Sequence, residues 1–140
     1  MQLEDALKRV QLADKKAAPK KPTPAGGVSG KWRNRLGSTA DVTVEGSRIT
    51  GTYTSVLGDP RGTLSGPITG FVKDDIIAFA VNWPTKHGSM TTWVGRVVEA
   101  GGQVSLQTLW HLVLSIEDKD EPGGAWATAL AGADAFTHVP

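Results

Sequence analysis

At 140 residues and 39% apolar side chains, the chain has the size of one domain with a tail to spare. It contains no cysteine, which removes disulfide frameworks, thiolate nucleophiles and cysteine-ligated metals from consideration. The formal net charge of +1 is split, with six basic and three acidic residues in 1–29 but nine and eleven in 30–140, so the larger part is not a nucleic-acid binder by charge.

Leu3, Leu7 and Val10 have helical spacing, and Glu4–Lys8 and Asp5–Arg9 are i,i+4 ion pairs. Lys15 to Gly27 is rich in Lys, Ala and Pro and reads as a linker. Residues 1–29 are therefore expected to be a solvated, mobile tail, with a short helix docking on a neighbouring subunit as the alternative. No apolar run approaches membrane-spanning length. The N-terminus lacks an apolar h-region, so any secretory signal is expected to have been removed or never present.

Residues 30–140 read as the domain, in strands and tight turns. Lys31–Leu36 is the first strand. Asp41–Glu45 alternates at period two, and Glu45-Gly46-Ser47 turns the chain. Arg48–Val56 is rich in β-formers, and Asp59-Pro60-Arg61-Gly62 is a turn. Thr63–Val72 is a strand despite its glycines and Pro67. Ile76–Trp83 is apolar and β-branched, and Pro84 ends it. Thr91–Glu99, Val104–Ile116 and Ala127–Val139 complete the set, with Ala100-Gly101-Gly102 as a hairpin turn and Glu117–Gly124 as a charged loop. Eight strands joined by short loops, with no helix long enough for a crossover, predict an all-β, eight-stranded antiparallel up-and-down barrel. Such a barrel can hold one small ligand.

Tryptophan supplies five of the nine aromatic residues, each on a different extended segment beside small polar residues. Alternation puts Trp32 with Asn34, Tyr53 with Ser55, Thr91 with Trp93, and Thr108 with Trp110 and Leu112 on common faces. If tryptophan marks the interior, the cavity has indole walls and several neutral hydrogen-bonding groups. Asp134 is the one carboxylate in an otherwise apolar strand and needs donors if it is buried. His111 should face outward, at a subunit contact rather than at a metal or catalytic site. His87 and His138 read as loop and terminal residues.

Several segments in order carry a family resemblance. Gly30-Lys31-Trp32-Arg33-Asn34-Arg35-Leu36-Gly37-Ser38 resembles the opening strand and loop of the avidin/streptavidin family. Thr50-Gly51-Thr52-Tyr53-Thr54-Ser55, Ser89-Met90-Thr91-Thr92-Trp93-Val94-Gly95, Trp110 and Ala125-Trp126 through Gly132-Ala133-Asp134-Ala135-Phe136 are similar to later parts, over nearly all of 30–140. The resemblance implies high-affinity, non-covalent biotin binding in a closed barrel, as in biotin sequestration for antimicrobial defence. It implies that Asn34, Ser38 and Tyr53 donate to the ureido carbonyl oxygen, and that Ser55 and Asp134 accept from the ureido N–H groups. Thr91 would lie near the thioether, and Ser89 with the loop around Asp59 would meet the valerate carboxylate. Trp83, Trp93 and Trp110 would enclose the ring system, Trp126 would reach a neighbouring subunit's site, and Trp32 would close the floor.

Dimeric members of that family typically carry a cysteine pair and lack the bridging tryptophan. The absence of cysteine and the presence of Trp126 therefore favour a homotetramer, secreted or periplasmic, with neither nucleic acid nor membrane as partner. No cofactor is expected beyond biotin as ligand, and no metal. Glu117, Asp118, Asp120 and Glu121 read as a solvated loop, with calcium as a weaker alternative. No Gly-x-Ser-x-Gly or His-Glu-x-x-His occurs, so the chain is expected not to be an enzyme. A lipocalin-like carrier of another small apolar ligand is the competing reading, and an interaction module whose tail matters most is a third.

Overall fold

The computed structural model describes residues 1–14, 27–115 and 129–140. Leu3–Asp14 forms helix α1, with acidic Glu4 and Asp5 in its first turn, where they oppose the helix dipole favourably. None of its residues is buried, so the periodic Leu3, Leu7 and Val10 face solvent. The Lys/Pro-rich linker lies outside the described residues from Lys15 to Gly26.

Eight strands follow: β1 (Gly30–Asn34), β2 (Thr39–Glu45), β3 (Arg48–Gly58), β4 (Gly62–Lys73), β5 (Ile76–Asn82), β6 (Ser89–Ala100), β7 (Gln103–Leu114) and β8 (Ala129–Val139). Each pairs antiparallel with its sequence neighbour, and β1 pairs with β8, so the sheet closes into a barrel. Closure leaves no unpaired edge along the barrel. Among the described residues, no helix is long and apolar enough to cross a membrane.

The strand boundaries differ from the sequence reading at two informative places. β1 stops at Asn34 rather than Leu36, because the Asn34 side chain captures the chain there. Its Oδ1 accepts the backbone N–H of Leu36 (3.1 Å) and of Ser38 (2.9 Å), which bends the segment into the β1–β2 turn. β3 runs on to Gly58, where a register shift between Val56 and Gly58 interrupts the ladder. The ends of the β7–β8 connection, including Ile116, Ala127 and Thr128, fall outside the described residues.

Alternate residues of the strands fill the barrel. Trp32, Ile49, Ile68, Ile77, Val81, Leu106 and Phe136 are the large side chains most completely removed from water. Trp32, 1% exposed, donates its Nε1–H to the Val28 carbonyl at 2.8 Å, which pairs the one polar atom of a buried indole. His138 is on β8 and sets its ring edge against that indole, with ring centroids 5.1 Å apart. It is thus part of the packing around Trp32, not a loose terminal residue.

Candidate functional site

The tryptophan-rich part of the interior leaves a cavity of about 200 Å³. Its lining comes from strands spread around the barrel: Asn34, Ser38, Tyr53 and Ser55 from β1 to β3, Trp83, Thr91 and Trp93 from β5 to β6, and Trp110 and Asp134 from β7 and β8. Because alternation is fixed along each strand, these residues face one interior only in the observed register.

The apolar wall is built by stacking. Trp93 lies nearly parallel to Tyr53 (centroids 4.5 Å apart, 23°) and to Phe79 (5.0 Å, 15°). Trp83 meets Tyr53 edge-on at 5.8 Å, and its Nε1 donates to the Thr91 hydroxyl at 2.9 Å. The Thr91 oxygen thus has a defined donor, which orients both side chains. Among the described residues, Trp93 Nε1 is the buried side-chain polar atom without a partner. Trp110 needs Gly132 opposite it on β8, since a Cβ there would come within 2.5 Å of the indole. Any larger residue at 132 would force that indole to shift.

The polar side is a connected set. Asn34 Nδ2 donates to Asp134 Oδ2 at 2.8 Å, leaving the second hydrogen of the amide available. The amide orientation follows from the network, because Oδ1 already accepts two backbone N–H groups. Asp134 Oδ1 accepts the Ala135 N–H at 3.0 Å, and Thr108 Oγ1 donates to the Asp134 carbonyl at 3.0 Å. The carboxylate is therefore held by its own strand and its neighbours, with lone pairs to spare. Ser38 Oγ accepts the Val56 N–H at 2.9 Å, which leaves its own hydrogen to donate within the cavity, where Tyr53 is its neighbour. In chemical terms the cavity offers hydroxyl and amide donors together with one anionic acceptor, enclosed by aromatic rings.

Tyr53 remains a phenol in this setting. Burial pushes its pKa well above the ordinary tyrosine value, the negative charge of Asp134 adds to that, and the Ser38 hydroxyl pulls the other way. Tyr53 is the chain's single tyrosine, so an alkaline spectrophotometric titration reads it alone. The folded protein is expected to show no tyrosinate absorbance at pH values where the denatured chain, with the ordinary pKa of about 10, is largely ionised. Both states are protonated below that range. Above it the unfolded chain loses its proton first, so stability declines as pH rises towards the folded value. Coincident titration curves for folded and denatured protein would contradict the burial of this hydroxyl.

Not every residue singled out from sequence lines the cavity. Asp59 does not: Gly58 pairs with Gly62, which places it in the three-residue tip Asp59-Pro60-Arg61 of the β3–β4 hairpin. Ser89 does not either. It opens β6, where its carbonyl accepts the Trp83 N–H and its Oγ lies 3.4 Å from Thr85 Oγ1 in the loop between β5 and β6. Trp126 and the acidic Glu117, Asp118, Asp120 and Glu121 lie outside the described residues. Among the described residues, no group of His, Asp and Glu could hold a metal ion.

The lining also includes Leu36, Val56 and Leu112. Leu112 shares a face with Trp110, and Leu36 is in period with Trp32 and Asn34, but Val56 carries no period-two signal. Val56 stands next to the register shift, where alternation breaks.

Comparison with known proteins agrees with this geometry. The family model described as the avidin family matches residues 23–139. Avidin from Gallus gallus is 30% identical over 122 residues, which is 80% of this chain and 78% of that protein. The crystal structure of xenavidin superposes with a TM-score of 0.67 at 28% identity, covering 79% of this chain and 96% of that one. A rhizavidin–biotin complex does so with a TM-score of 0.64 at 27% identity, covering 81% and 93%.

Proposed function

The chain belongs to the avidin family, and we propose that it binds biotin non-covalently and with high affinity in the cavity inside its barrel. The observation that carries the reading is the Asn34–Asp134 pair, with Ser38 and Tyr53, inside a cavity walled by Trp83, Trp93 and Trp110. A ureido group needs donors at its oxygen and acceptors at its two N–H groups. Asn34 Nδ2, Ser38 and Tyr53 supply the former, and Ser55 and Asp134 the latter. The donors favour polarisation of the ureido group, which makes its N–H groups better donors to the carboxylate. That bond is charge-assisted and strengthened away from water. The rings bury apolar ligand surface at roughly 25 cal/mol per Å². Because the network is already assembled within a closed barrel, little ordering cost remains on binding. Nothing in this set is a nucleophile paired with a base, and the role is binding rather than catalysis.

A carrier of apolar ligands has no use for such a polar cluster, which argues against the lipocalin-like reading. The test is direct: biotin should change tryptophan fluorescence, release heat in calorimetry and raise the melting temperature, as any ligand binding only the native state does. Absence of all three would reject the proposal.

The assembly belongs to the same reading. The outward residues of β4–β8 align by register into a continuous apolar row, Phe71–Ala78–Val94–Leu109–Ala133. Phe71, Val94 and Leu109 are 60, 53 and 62% exposed in the single chain. A surface of this kind marks a protein contact. We assign it to a second copy within a homotetramer in which Trp126 caps a neighbour's site, in a secreted or periplasmic setting. Trp126→Ala should then speed biotin release and weaken the tetramer, and an unchanged off-rate would count against capping.

A further inference from the structure

The apolar outer face has one titratable side chain at its middle. The row next to Phe71–Ala78–Val94–Leu109–Ala133 reads Thr69–Ala80–Thr92–His111–Ala131, and the row beyond it contains Asn82, Met90, Val113 and Ala129. His111 is therefore bordered by Leu109 and Val113 on its own strand, by Met90, Thr92 and Val94 on β6, and by Ala129, Ala131 and Ala133 on β8. The outer side of β8 is alanine from Ala129 through Ala135, which lets another sheet approach closely. Five strands at ~4.8 Å and four residue rows at ~6.6 Å make this face roughly 600 Å² in projection. With side-chain relief that approaches the ~800 Å² per partner of a stable interface, so the face is large enough for a second copy.

The charged groups on the face are all basic. Arg96 and Lys73 lie in the margin row Lys73–Ile76–Arg96–Gln107–Ala135, and Arg48 on β3 sits over the Phe71 ring at 6.0 Å. Among the described residues, the outward positions of β4 through β8 carry no carboxylate. Thr92 and Ala131, which pair with His111 on either side, offer no counter-charge. A self-association that uses this face thus encloses His111 where an imidazolium would be desolvated without a partner.

We propose that His111 makes the association of two copies through this face pH-dependent, tight when the ring is neutral and loosened when it is protonated. The proposal rests on the assembly reading above. A two-fold contact is self-complementary, so both copies contribute the same histidine. Separation of a dimer then takes up two protons, so its dissociation constant should rise steeply on acidification.

The test is sedimentation velocity on the full chain from pH ~7.5 to pH ~5, spanning the ordinary histidine range. It uses wild type, His111→Leu, His111→Lys and Leu109→Arg, with near-ultraviolet circular dichroism to confirm that each is folded. Wild type should be associated at the upper pH and lose association on acidification. His111→Leu should stay associated throughout, and His111→Lys should be weakened even at the upper pH. If wild type dissociates in acid but His111→Leu does so equally, or if wild type stays associated at both ends, the histidine proposal is overturned while the interface stands. If wild type is monomeric at the upper pH, or Leu109→Arg associates like wild type, the assembly reading itself falls and takes the proposal with it.

Discussion

Asp134→Ala is expected to weaken biotin binding by about two to three orders of magnitude, the scale of losing a charge-assisted hydrogen bond of ~1.5–3 kcal/mol together with the cost of stranding its partner. The partner in question is Asn34. Its Nδ2 donates to Asp134 Oδ2, and its Oδ1 is committed to the Leu36 and Ser38 N–H groups. Without the carboxylate, one amide hydrogen loses its acceptor and the ureido N–H group loses another. The fold should tolerate the change, because among the described residues the Asp134 side chain otherwise bonds only the adjacent Ala135 N–H, and the Thr108 hydroxyl bonds its carbonyl, which alanine keeps.

Asp134→Asn separates charge from shape. Its carbonyl oxygen can still accept, so it should recover part of the affinity lost in the alanine variant. Calorimetry on the two variants and on Asn34→Ala, combined with the double variant, gives the coupling between the two side chains. A dissociation constant for Asp134→Ala within a few-fold of wild type would remove this carboxylate from the site. Additive single-variant effects would show that the Asn34–Asp134 bond does not prepare the cavity.

The strands were legible because hydrophobic alternation and turn residues agree at almost every boundary, from Asp41-Val42-Thr43-Val44-Glu45 onwards. Barrel closure followed from eight such strands with short connections. The shared faces were legible for the same reason, since period two places Asn34 beside Trp32 and Thr91 beside Trp93. What alternation cannot reveal is where it fails. Val56 reaches the cavity at a register shift. The place of Asp59 at the tip of the β3–β4 hairpin depends on the pairing of Gly58 with Gly62, a register fact absent from composition. His138 carried no mark of its packing against Trp32, because that contact joins the two ends of the barrel sequence. The roles of individual polar residues came from family resemblance. Geometry adds how they are held: the amide of Asn34 is fixed on three sides before any ligand arrives.

Trp93→Ala should be among the most damaging single changes to the domain itself, costing about 3–5 kcal/mol of stability, the range for deleting a buried large aromatic. The indole is 4% exposed and stacks on both Tyr53 and Phe79, so its removal opens a gap and deletes two ring contacts at once. Each stacked pair adds roughly 0.5–1.5 kcal/mol beyond buried area. Against a typical domain stability of about 5–15 kcal/mol this is a large fraction, so the alanine variant is best compared with Trp93→Phe. Phenylalanine keeps a ring in the stack and deletes Nε1, the buried donor with no partner among the described residues. Deleting an unpaired donor recovers part of its desolvation cost of ~1–3 kcal/mol, which offsets the smaller ring. Urea denaturation without biotin should therefore place Trp93→Phe close to wild type and Trp93→Ala far below. A loss under about 1 kcal/mol for Trp93→Ala would contradict the stack's structural weight. Repeating the measurement with excess biotin resolves the ligand term. If Trp93→Phe matches wild type without biotin but gains markedly less from it, Nε1 is a donor to the bound ligand. Equal gains would instead assign Trp93 to the apolar wall alone.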